Sequence, residues 1–389
     1  MLKSFYYKCH TCEKEYRSDD IMYLCPVCSP EKTPKSPLKG VLKVLFDYKK
    51  LREEWDKTKD IFTFSAIDKR YYPEIAVGNT PFHKISRLGN HLSLSNLFVK
   101  NDSLNPTGSL KDRASYMLVA ESNRQNIDVI VTSSTGNAAC ALAAICADAG
   151  KKAVIFVPKR VPTAKLTQIR LYGAEIEIVD GNYDDAYRET LLYAMKNNCL
   201  NRNTAYHPFT IEGKKTVSLE IFIQNNYKAP DNIFVPVGDG VIISGVYKGF
   251  YDLKQAGLIN KIPRLYAVQA KYSNAIYDLF NGRDYDTFNT PDTLADSISI
   301  VHPANGLMAI DYIRDSQGDC IAVSDDDIME AQKIFAEYTG IYAEPAASAS
   351  FAGLLKYKEK LNPDDQTVLL ITGNGLKDVE ATIKYNNYK

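Results

Sequence analysis

The sequence predicts an α/β protein with two doubly wound open sheets and a small cysteine-rich ribbon at the N-terminus. Short apolar runs of strand length alternate with helix-length segments between residues 97 and 371. Strands separated by helices imply right-handed crossovers, which produce largely parallel, buried sheets. Ahead of this alternation, half of the eight cysteines are clustered at Cys9, Cys12, Cys25 and Cys28. The alternation predicts the two sheets, and the cluster predicts the ribbon.

The predicted strands are short runs of mostly apolar, β-branched and aromatic residues. They lie at residues 97–100, 129–131, 153–157, 176–179, 233–237, 264–268 and 367–371. The clearest helices are predicted at residues 137–149 and 163–172 and from about residue 242. Prolines at positions 30, 34 and 37 mark a linker. Residues 41–55 are predicted as one helix-sized segment that joins the ribbon to the body.

The composition describes an ordinary globular chain. Its 389 residues are 45% apolar, which allows a large buried core. Lys and Arg together number 47, as do Asp and Glu, so no overall charge favours nucleic acid or an anionic membrane. The sequence shows no signal-peptide pattern and no stretch approaching about 18 apolar residues. We therefore expect a cytoplasmic protein that binds small molecules.

The cysteine cluster has the spacing of a zinc site. Two C-x2-C pairs are separated by twelve residues, and the second pair contains Pro26. Each pair forms a short turn that presents two thiolates, and four thiolates match the tetrahedral coordination of zinc. We expect a closed structural site that stabilises a segment too short to have its own core. The other four cysteines show no pairing pattern.

Lys111 stands near the end of residues 105–113, whose Pro and Gly residues indicate a turn after the strand at 97–100. Ser109 is expected to cap a helix, so that Lys111 lies in the first turn. The positive end of a helix dipole makes a shielded amine there easier to deprotonate. A neutral lysine can attack a carbonyl and form a Schiff base. The alternative is an ordinary surface lysine.

Three predicted strands end in loops of glycine and small polar residues, and parallel sheets bind ligands at such strand ends. The loops comprise residues 132–137, 238–240 and 372–375. The second loop precedes a helix, an arrangement that holds a phosphate with backbone N–H groups. In the other two, Asn137 can donate to a phenolic oxygen, and Thr372 offers a neutral hydroxyl to a ring nitrogen. Each loop taken alone also has a simpler explanation as a turn or a helix cap.

Together these loops and Lys111 indicate pyridoxal 5′-phosphate as the cofactor. They supply an amine for the Schiff base, a phosphate cradle, an amide and a hydroxyl. Five segments then resemble the threonine synthase-like enzymes of the fold-type II, tryptophan synthase β-like family. They lie at residues 105–113, 133–137, 212–216, 344–346 and 372–378. The similarity runs from about residue 77 to residue 378, and the ribbon resembles one that precedes the body in some of these proteins.

The resemblance implies a role for each loop, with the cofactor in the cleft between the two sheets. Lys111 forms the Schiff base and later moves protons. The implied cofactor contacts are Asn137, Gly238, Asp239, Gly240, Val241 and Thr372. The implied contacts to the substrate carboxylate are Ser133, Ser134, Thr135 and Gly136. A homodimer is also implied.

The predicted domain organisation places the zinc ribbon at residues 1–35. A large cofactor-binding domain is predicted from residues 36–110 and 206–389, and a small substrate-closing domain from residues 111–205.

Two departures from the family bear on the substrate. Thr210 and Ser299 each stand where we expect an arginine, the first of which could bind a substrate phosphate. A hydroxyl does not easily replace a bidentate phosphate clamp. Lys214 or Lys215 is a candidate substitute, and the sequence alone does not choose between them.

The sequence therefore predicts an elimination or replacement enzyme that acts on an O-phospho-amino acid. Conversion of O-phosphohomoserine and water into threonine and phosphate is the leading reaction. A cysteate synthase-like replacement of the phosphate of O-phosphoserine by sulfite comes next, because a shorter substrate shifts its phosphate away from Thr210 and Ser299. Dehydration of serine or threonine is third. A catalytically silent regulator or a ribbon-mediated binding module is the non-enzyme alternative.

Overall fold

The computed structural model describes residues 5–29, 37–159, 163–181, 183–285 and 292–386. The chain divides into two compact units. The first comprises Met1–Val77 and Lys111–Thr216, and the second comprises Gly78–Leu110 and Val217–Lys389. The predicted domain boundaries and their roles stay a prediction. Pro30 and Pro34 of the predicted linker lie outside the described residues.

The elements follow the predicted alternation. In chain order the strands are β1 Phe5–Cys9, β2 Glu15–Arg17, β3 Leu42–Phe46, β4 Phe82–Lys84, β5 Leu97–Asn101, β6 Val129–Ser133, β7 Lys152–Pro158, β8 Glu175–Val179, β9 Leu200–Asn201, β10 Asn232–Pro236, β11 Arg264–Ala270, β12 Asp319–Val323 and β13 Thr367–Ile371. The α-helices are α1 Tyr48–Thr58, α2 Ser86–His91, α3 Lys111–Gln125, α4 Asn137–Asp148, α5 Thr163–Leu171, α6 Tyr183–Asn197, α7 Phe209–Gln224, α8 Val241–Gln255, α9 Ala275–Phe280, α10 Gly306–Asp315, α11 Asp325–Thr339, α12 Pro345–Tyr357 and α13 Val379–Asn386. Among the described residues, no helix combines the length and apolar character needed to cross a membrane.

The N-terminal strands of the first unit form a three-stranded antiparallel sheet in the order β2-β1-β3. The prediction of a single helix-sized segment at residues 41–55 is therefore wrong, because β3 occupies its first half and pairs with β1. Helix α1 begins only at Tyr48. Asp47 separates the two elements, since its side chain accepts a hydrogen bond from the N–H of Lys50 and caps α1.

The first unit also contains a parallel four-stranded sheet in the order β8-β7-β6-β9. Its strands β6 and β7 are apolar and largely buried, as expected for a sheet between helices. Helix α4 follows β6 directly and is alanine-rich and buried along most of its length. The predicted α/β class is confirmed, and in this unit the strands of the α/β sheet are all parallel.

The second unit contains a six-stranded sheet in the order β12-β11-β10-β13-β5-β4. All neighbouring strands are parallel except β4, which pairs antiparallel with β5. Strands β10, β13 and β5 are consecutive in this order. Because they are parallel, their carboxyl ends lie at the same edge of the sheet, and the loops that follow them are neighbours.

A buried charged network anchors β5 in the second unit. Lys100 is fully buried, and its Nζ donates to the Glu220 carboxylate at 2.6 Å, the Thr80 carbonyl at 2.7 Å and the Gln224 side chain at 2.9 Å. The Glu220 carboxylate also accepts hydrogen bonds from the N–H groups of Asn79 and Thr80. The ammonium is therefore paired and hydrogen-bonded, as a buried charge must be.

We expect Glu220→Gln to lower the free energy of unfolding by about 3–5 kcal/mol, because the buried Lys100 ammonium loses the carboxylate to which it is hydrogen-bonded. Adding Lys100→Met should recover most of this loss. Urea unfolding followed by circular dichroism measures both variants.

The matched control is the exposed pair of Arg52 and Asp56, whose side chains are 41% and 47% exposed. Asp56→Asn should cost less than about 1 kcal/mol. If Glu220→Gln and Asp56→Asn lower the free energy of unfolding by the same amount, the prediction that the buried pair contributes more than the exposed pair is wrong.

Candidate active site

The turn before Lys111 is bonded to the loop that follows β13, within the second unit. The N–H of Leu110 donates to the carbonyl of Thr372 at 2.9 Å. One residue earlier, Ser109 forms an antiparallel bridge with Gly373. These backbone contacts bring together two loops that are about 260 residues apart in the chain. Thr372 and the residue that precedes Lys111 are therefore neighbours.

Helix α3 begins at Lys111, which confirms the predicted position of the lysine in a first helical turn. The predicted cap is wrong. The Oγ of Ser109 is buried and has no hydrogen-bond partner among the described residues. Its backbone is held in the bridge with Gly373, two residues before the helix, so the side chain does not cap α3.

The loop after β10 has the geometry of an anion cradle. Gly240 adopts a left-handed φ of 86° directly before α8, where a Cβ would lie 2.9 Å from the Asn305 carbonyl oxygen. The first N–H groups of a helix have no partner within the helix. Here the Asp239 carboxylate accepts a hydrogen bond from one of them, the N–H of Val241, at 2.9 Å. Asp239 therefore caps α8, and the phosphate contacts at residues 238–241 stay a prediction.

Asn305 supports this cradle from another part of the chain. Its N–H donates to the carbonyl of Asp239 at 2.9 Å, and its side-chain amide donates to the Oγ of Ser244 at 2.7 Å. Both contacts join residues more than sixty positions apart, so no local pattern in the sequence signals them. Sequence reasoning missed Asn305 for this reason.

Glu344 lies against the loop that begins at Thr372. Its N–H donates to the carbonyl of Gly373 at 3.0 Å, and a Cβ at position 373 would lie 2.2 Å from its Oε1. The carboxylate is 3% exposed and makes no side-chain cap on α12, so helix capping does not explain it. It accepts a hydrogen bond from the Oγ of Ser297 at 3.3 Å. Ser299, where an arginine was expected, lies two residues further along this half-buried segment.

In the first unit, the loop after β6 is fixed by a residue that follows β9. The N–H of Ser133 donates to the Oδ1 of Asn203 at 2.8 Å. Gly136 is the N-cap of α4 and makes no side-chain cap, while its N–H donates to the Oγ of Ser134 at 3.3 Å. The N-cap position of α4 is therefore a glycine, and the Ser134 hydroxyl is bonded within the loop. Asn137 is the first residue of α4 and is buried.

The segment before α7 uses the hydroxyl of Thr210 internally. The Oγ1 of Thr210 donates to the carbonyl of His207 at 2.8 Å and accepts from the N–H of Ala205 at 3.2 Å. The Nδ1 of His207 accepts a hydrogen bond from the N–H of Phe209. Burial lowers the pKa of His207 to about 3, so its imidazole remains neutral and keeps this contact. Whether Thr210 contacts a substrate stays a prediction.

The two lysines of α7 are both buried, each about 1% exposed. The Nζ of Lys215 lies 2.5 Å from the Glu212 carboxylate and 4.5 Å from the centre of the Phe46 ring. Both contacts are favourable for an ammonium group. Lys215 is thus part of an ion pair that faces β3, whereas Lys214 occupies the preceding position on the helix.

Gly213 brings α7 against the first turn of α3. A Cβ at this position would lie 2.3 Å from the carbonyl oxygen of Arg113, closer than a side chain allows. The side chain of Arg113 donates to the Oγ1 of Thr216 at 2.9 Å. Within the first unit, Lys214 is therefore carried by a helix that contacts the turn beginning at Lys111.

The residues present fit pyridoxal 5′-phosphate. Within the second unit, the sheet brings the glycine cradle at residues 238–241, the hydroxyl-bearing loop at 372–375 and the turn before Lys111 to one edge. These provide donors for a phosphate, a neutral hydroxyl and a position for an amine, which are the groups this cofactor needs.

The four clustered cysteines fit a zinc ion. Their Sγ atoms all lie within 4.8 Å of one another. Tetrahedral zinc with Zn–S bonds of about 2.3 Å requires sulfurs about 3.8 Å apart. The Sγ atoms of Cys12 and Cys25 are separated by 3.8 Å.

Hydrogen bonds favour the thiolate of Cys25, whereas burial raises the pKa of Cys9 and Cys28. The N–H groups of Thr11 and Cys12 point at the Sγ of Cys9. Burial opposes ionisation of Cys25, but hydrogen bonds from the Tyr16 hydroxyl and from nearby N–H groups outweigh it and lower the pKa of Cys25 to about 7. Such donors stabilise the charged sulfur that a metal requires.

Comparison with known proteins identifies the family. The family described as pyridoxal-phosphate dependent enzyme matches residues 74–373. The chain is 35% identical to the threonine synthase of Methanocaldococcus jannaschii, across 97% of this chain and 94% of that protein. It is 33% identical to the threonine synthase of Methanosarcina acetivorans, with the same coverage of both.

The fold is shared with solved structures. The processed form of threonine deaminase isoform 2 from Solanum lycopersicum superposes with a TM-score of 0.70 at 21% identity, covering 85% of this chain and 93% of that one. Family and relatives agree across most of the length. The chain therefore belongs to the pyridoxal-phosphate dependent enzymes, as a lyase that acts on carbon–oxygen bonds and is homologous to the threonine synthases.

Proposed function

We propose that this protein converts O-phosphohomoserine and water into threonine and inorganic phosphate. Its similarity to threonine synthases along nearly the whole chain supports this reaction. The observation that carries the proposal is the backbone pairing of the turn before Lys111 with the loop at Thr372. This pairing places the backbone directly before Lys111 beside the loop that carries the Thr372 hydroxyl, at the carboxyl edge of a parallel sheet.

Pyridoxal 5′-phosphate, when bound, supplies an electron sink for negative charge that develops on the substrate carbon. The residues that would hold it are Lys111, Asn137, Gly238, Asp239, Gly240, Val241 and Thr372. In this proposal the N–H groups at the start of α8 hold the phosphate, and Asn137 donates to the ring oxygen. Thr372 meets the ring nitrogen with a hydroxyl, which transfers less charge than a carboxylate and suits elimination and replacement reactions.

The chain's own residues handle the substrate and its protons. In the proposed reaction, the Nζ of Lys111 removes a proton from the substrate carbon and later returns one. The loop at residues 133–136 binds the substrate carboxylate. Asn203 holds this loop through the N–H of Ser133 and so keeps its donors in position.

We assign binding of the substrate phosphate to Lys214. We choose it over Lys215, which is paired with Glu212 and faces Phe46, for its position along α7. Lys214 lies four residues after Thr210, on the same face of α7 one turn later. Lys214 therefore places a positive charge one helical turn from Thr210, the position where an arginine was expected.

A second candidate is replacement of the phosphate of O-phosphoserine by sulfite, giving cysteate. Threonine at position 210 and serine at position 299 favour this alternative, because the expected arginines are absent. A shorter substrate holds its phosphate closer to the reacting carbon and depends less on those two positions.

Lys111→Ala should abolish catalysis, with a loss of about a thousand-fold or more in kcat, because the proposed reaction uses this amine both to hold the cofactor and to move protons. The wild-type protein mixed with pyridoxal 5′-phosphate should gain a visible absorbance band that the variant lacks. A wild-type protein without this band, or a variant that retains it, would contradict the assignment and favour a catalytically silent protein.

Phosphate release distinguishes the substrates. We expect release from O-phosphohomoserine with threonine as the product, and little release from O-phosphoserine with or without sulfite. Release from O-phosphoserine alone, increased by sulfite, would replace the leading proposal with the second candidate. Ammonia from serine or threonine without phosphate release would indicate a dehydratase.

Lys214→Gln should raise the KM for O-phosphohomoserine by about ten-fold or more, since a charged hydrogen bond contributes about 1.5–3 kcal/mol. The double variant Thr210→Arg with Lys214→Gln should recover much of this loss. Lys215→Gln tests the neighbouring lysine and should lower the melting temperature, because the Glu212 carboxylate loses the ammonium to which it is bonded. An unchanged KM in Lys214→Gln would contradict the assignment of phosphate binding to Lys214.

We also propose that Cys9, Cys12, Cys25 and Cys28 bind one zinc ion. Protein purified without added metal should contain about one zinc per chain by mass spectrometry. Cys12→Ser should lose the metal and melt at a lower temperature, whereas Cys199→Ser, outside the cluster, should keep it. A stably folded, metal-free protein with four reactive thiols would refute the site.

A further inference from the structure

We propose that the N-terminal sheet positions the start of α7, and with it the substrate-binding Lys214, through an aromatic clamp formed by Phe5, Tyr7, Tyr23 and Phe46. The inference rests on the proposed function, because the role of Lys214 belongs to it. It gives the cysteine-rich segment a part in substrate recognition in addition to its own stability.

Tyr23 holds the segment that leads into α7. Its hydroxyl accepts a hydrogen bond from the N–H of Asn201 at 3.1 Å. Its ring stacks on Tyr206 with centroids 4.6 Å apart and lies edge-on to His207 at 5.4 Å. One aromatic side chain therefore contacts this segment at three points.

Phe5 and Tyr7 hold the first residue of α7. Both project from the same face of β1, since alternate residues of a strand share a face. Their ring centroids lie 5.8 Å and 6.4 Å from that of Phe209, which is fully buried. Tyr7 is only 3% exposed. The start of α7 is therefore packed against the N-terminal sheet.

Phe46 holds the second turn of α7. Its ring lies under the Nζ of Lys215, which is paired with Glu212 inside the same unit. Phe46 ends β3, the strand that pairs with β1 along its full length. The clamp contacts α7 at residues 209 and 215, and Lys214 lies between them. A displacement of the sheet therefore moves Lys214.

Two residues of the clamp lie close in sequence to the cysteine cluster. Tyr7 lies two residues before Cys9, and Tyr23 lies two residues before Cys25. A separate binding module would keep such aromatic residues on its own surface or in its own core. Here they are packed against the body of the first unit, which argues for a positioning role rather than an independent module.

Phe46→Leu tests the clamp in the holoenzyme, because it removes the ring but keeps apolar volume. Tyr6→Leu is the matched control, since Tyr6 projects from the opposite face of β1. We would measure KM and kcat for phosphate release from O-phosphohomoserine, the Kd for pyridoxal 5′-phosphate, and hydrogen exchange of the amides at residues 209–216 and 241–255.

We expect Phe46→Leu to raise KM by about five-fold or more, with kcat within about two-fold and an unchanged cofactor Kd. Exchange should be faster at residues 209–216 and unchanged in α8. Tyr6→Leu should behave as wild type. If Phe46→Leu does not fold, Tyr23→Phe tests the same clamp by removing only the acceptor for Asn201.

The inference is overturned if the melting temperature falls while KM and exchange at residues 209–216 stay unchanged, because the sheet then only stabilises the chain. It is also overturned if KM and the cofactor Kd rise together, which would indicate a general disturbance. If the wild-type protein releases phosphate from neither phospho-amino acid, the proposed function fails, and the exchange comparison alone decides whether the clamp orders α7.

Discussion

The parallel pairing of β10, β13 and β5 is the constraint on which the candidate site depends. Parallel strands bring their carboxyl ends to one edge, so the loops after them become neighbours whatever their separation in the chain. Beyond the strands, an antiparallel bridge between Ser109 and Gly373 joins the residues before Lys111 to the loop at Thr372. The buried network of Lys100 then anchors the strand that leads to this turn.

Two buried lysines are paired with carboxylates that lie on α7. Lys100 pairs with Glu220, which α7 contributes to the second unit, and Lys215 pairs with Glu212 near the start of the same helix. Such pairs add little net stability over apolar replacements, but they define one arrangement, because a shifted helix leaves a charge buried and unpaired. These two ion pairs therefore restrict the position of α7.

Local pattern was sufficient for most of the fold. The strands and helices named from apolar runs are present, because a buried parallel strand needs a continuous apolar stretch. The prediction of one helix-sized segment at residues 41–55 is wrong because β3 is specified by pairing with β1, about forty residues away. The composition of β3 does not by itself distinguish a strand from a helix. The prediction that Ser109 caps α3 is wrong because a helix cap and an extended bridge have the same sequence signal. Only the presence of Gly373 decides between them.

By itself the sequence determined the alternating α/β class, the cysteine cluster, the position of Lys111 at a helix start and the family to which its motifs are similar. Only the tertiary structure decided that Asn305 and Asn203 support the two loops, that Lys215 faces Phe46, and that the hydroxyl of Thr210 is used internally. The physical reason is the separation along the chain over which each interaction acts. Capping, turns and apolar periodicity act over a few residues, whereas a buried polar group finds its partner wherever the folded chain brings one.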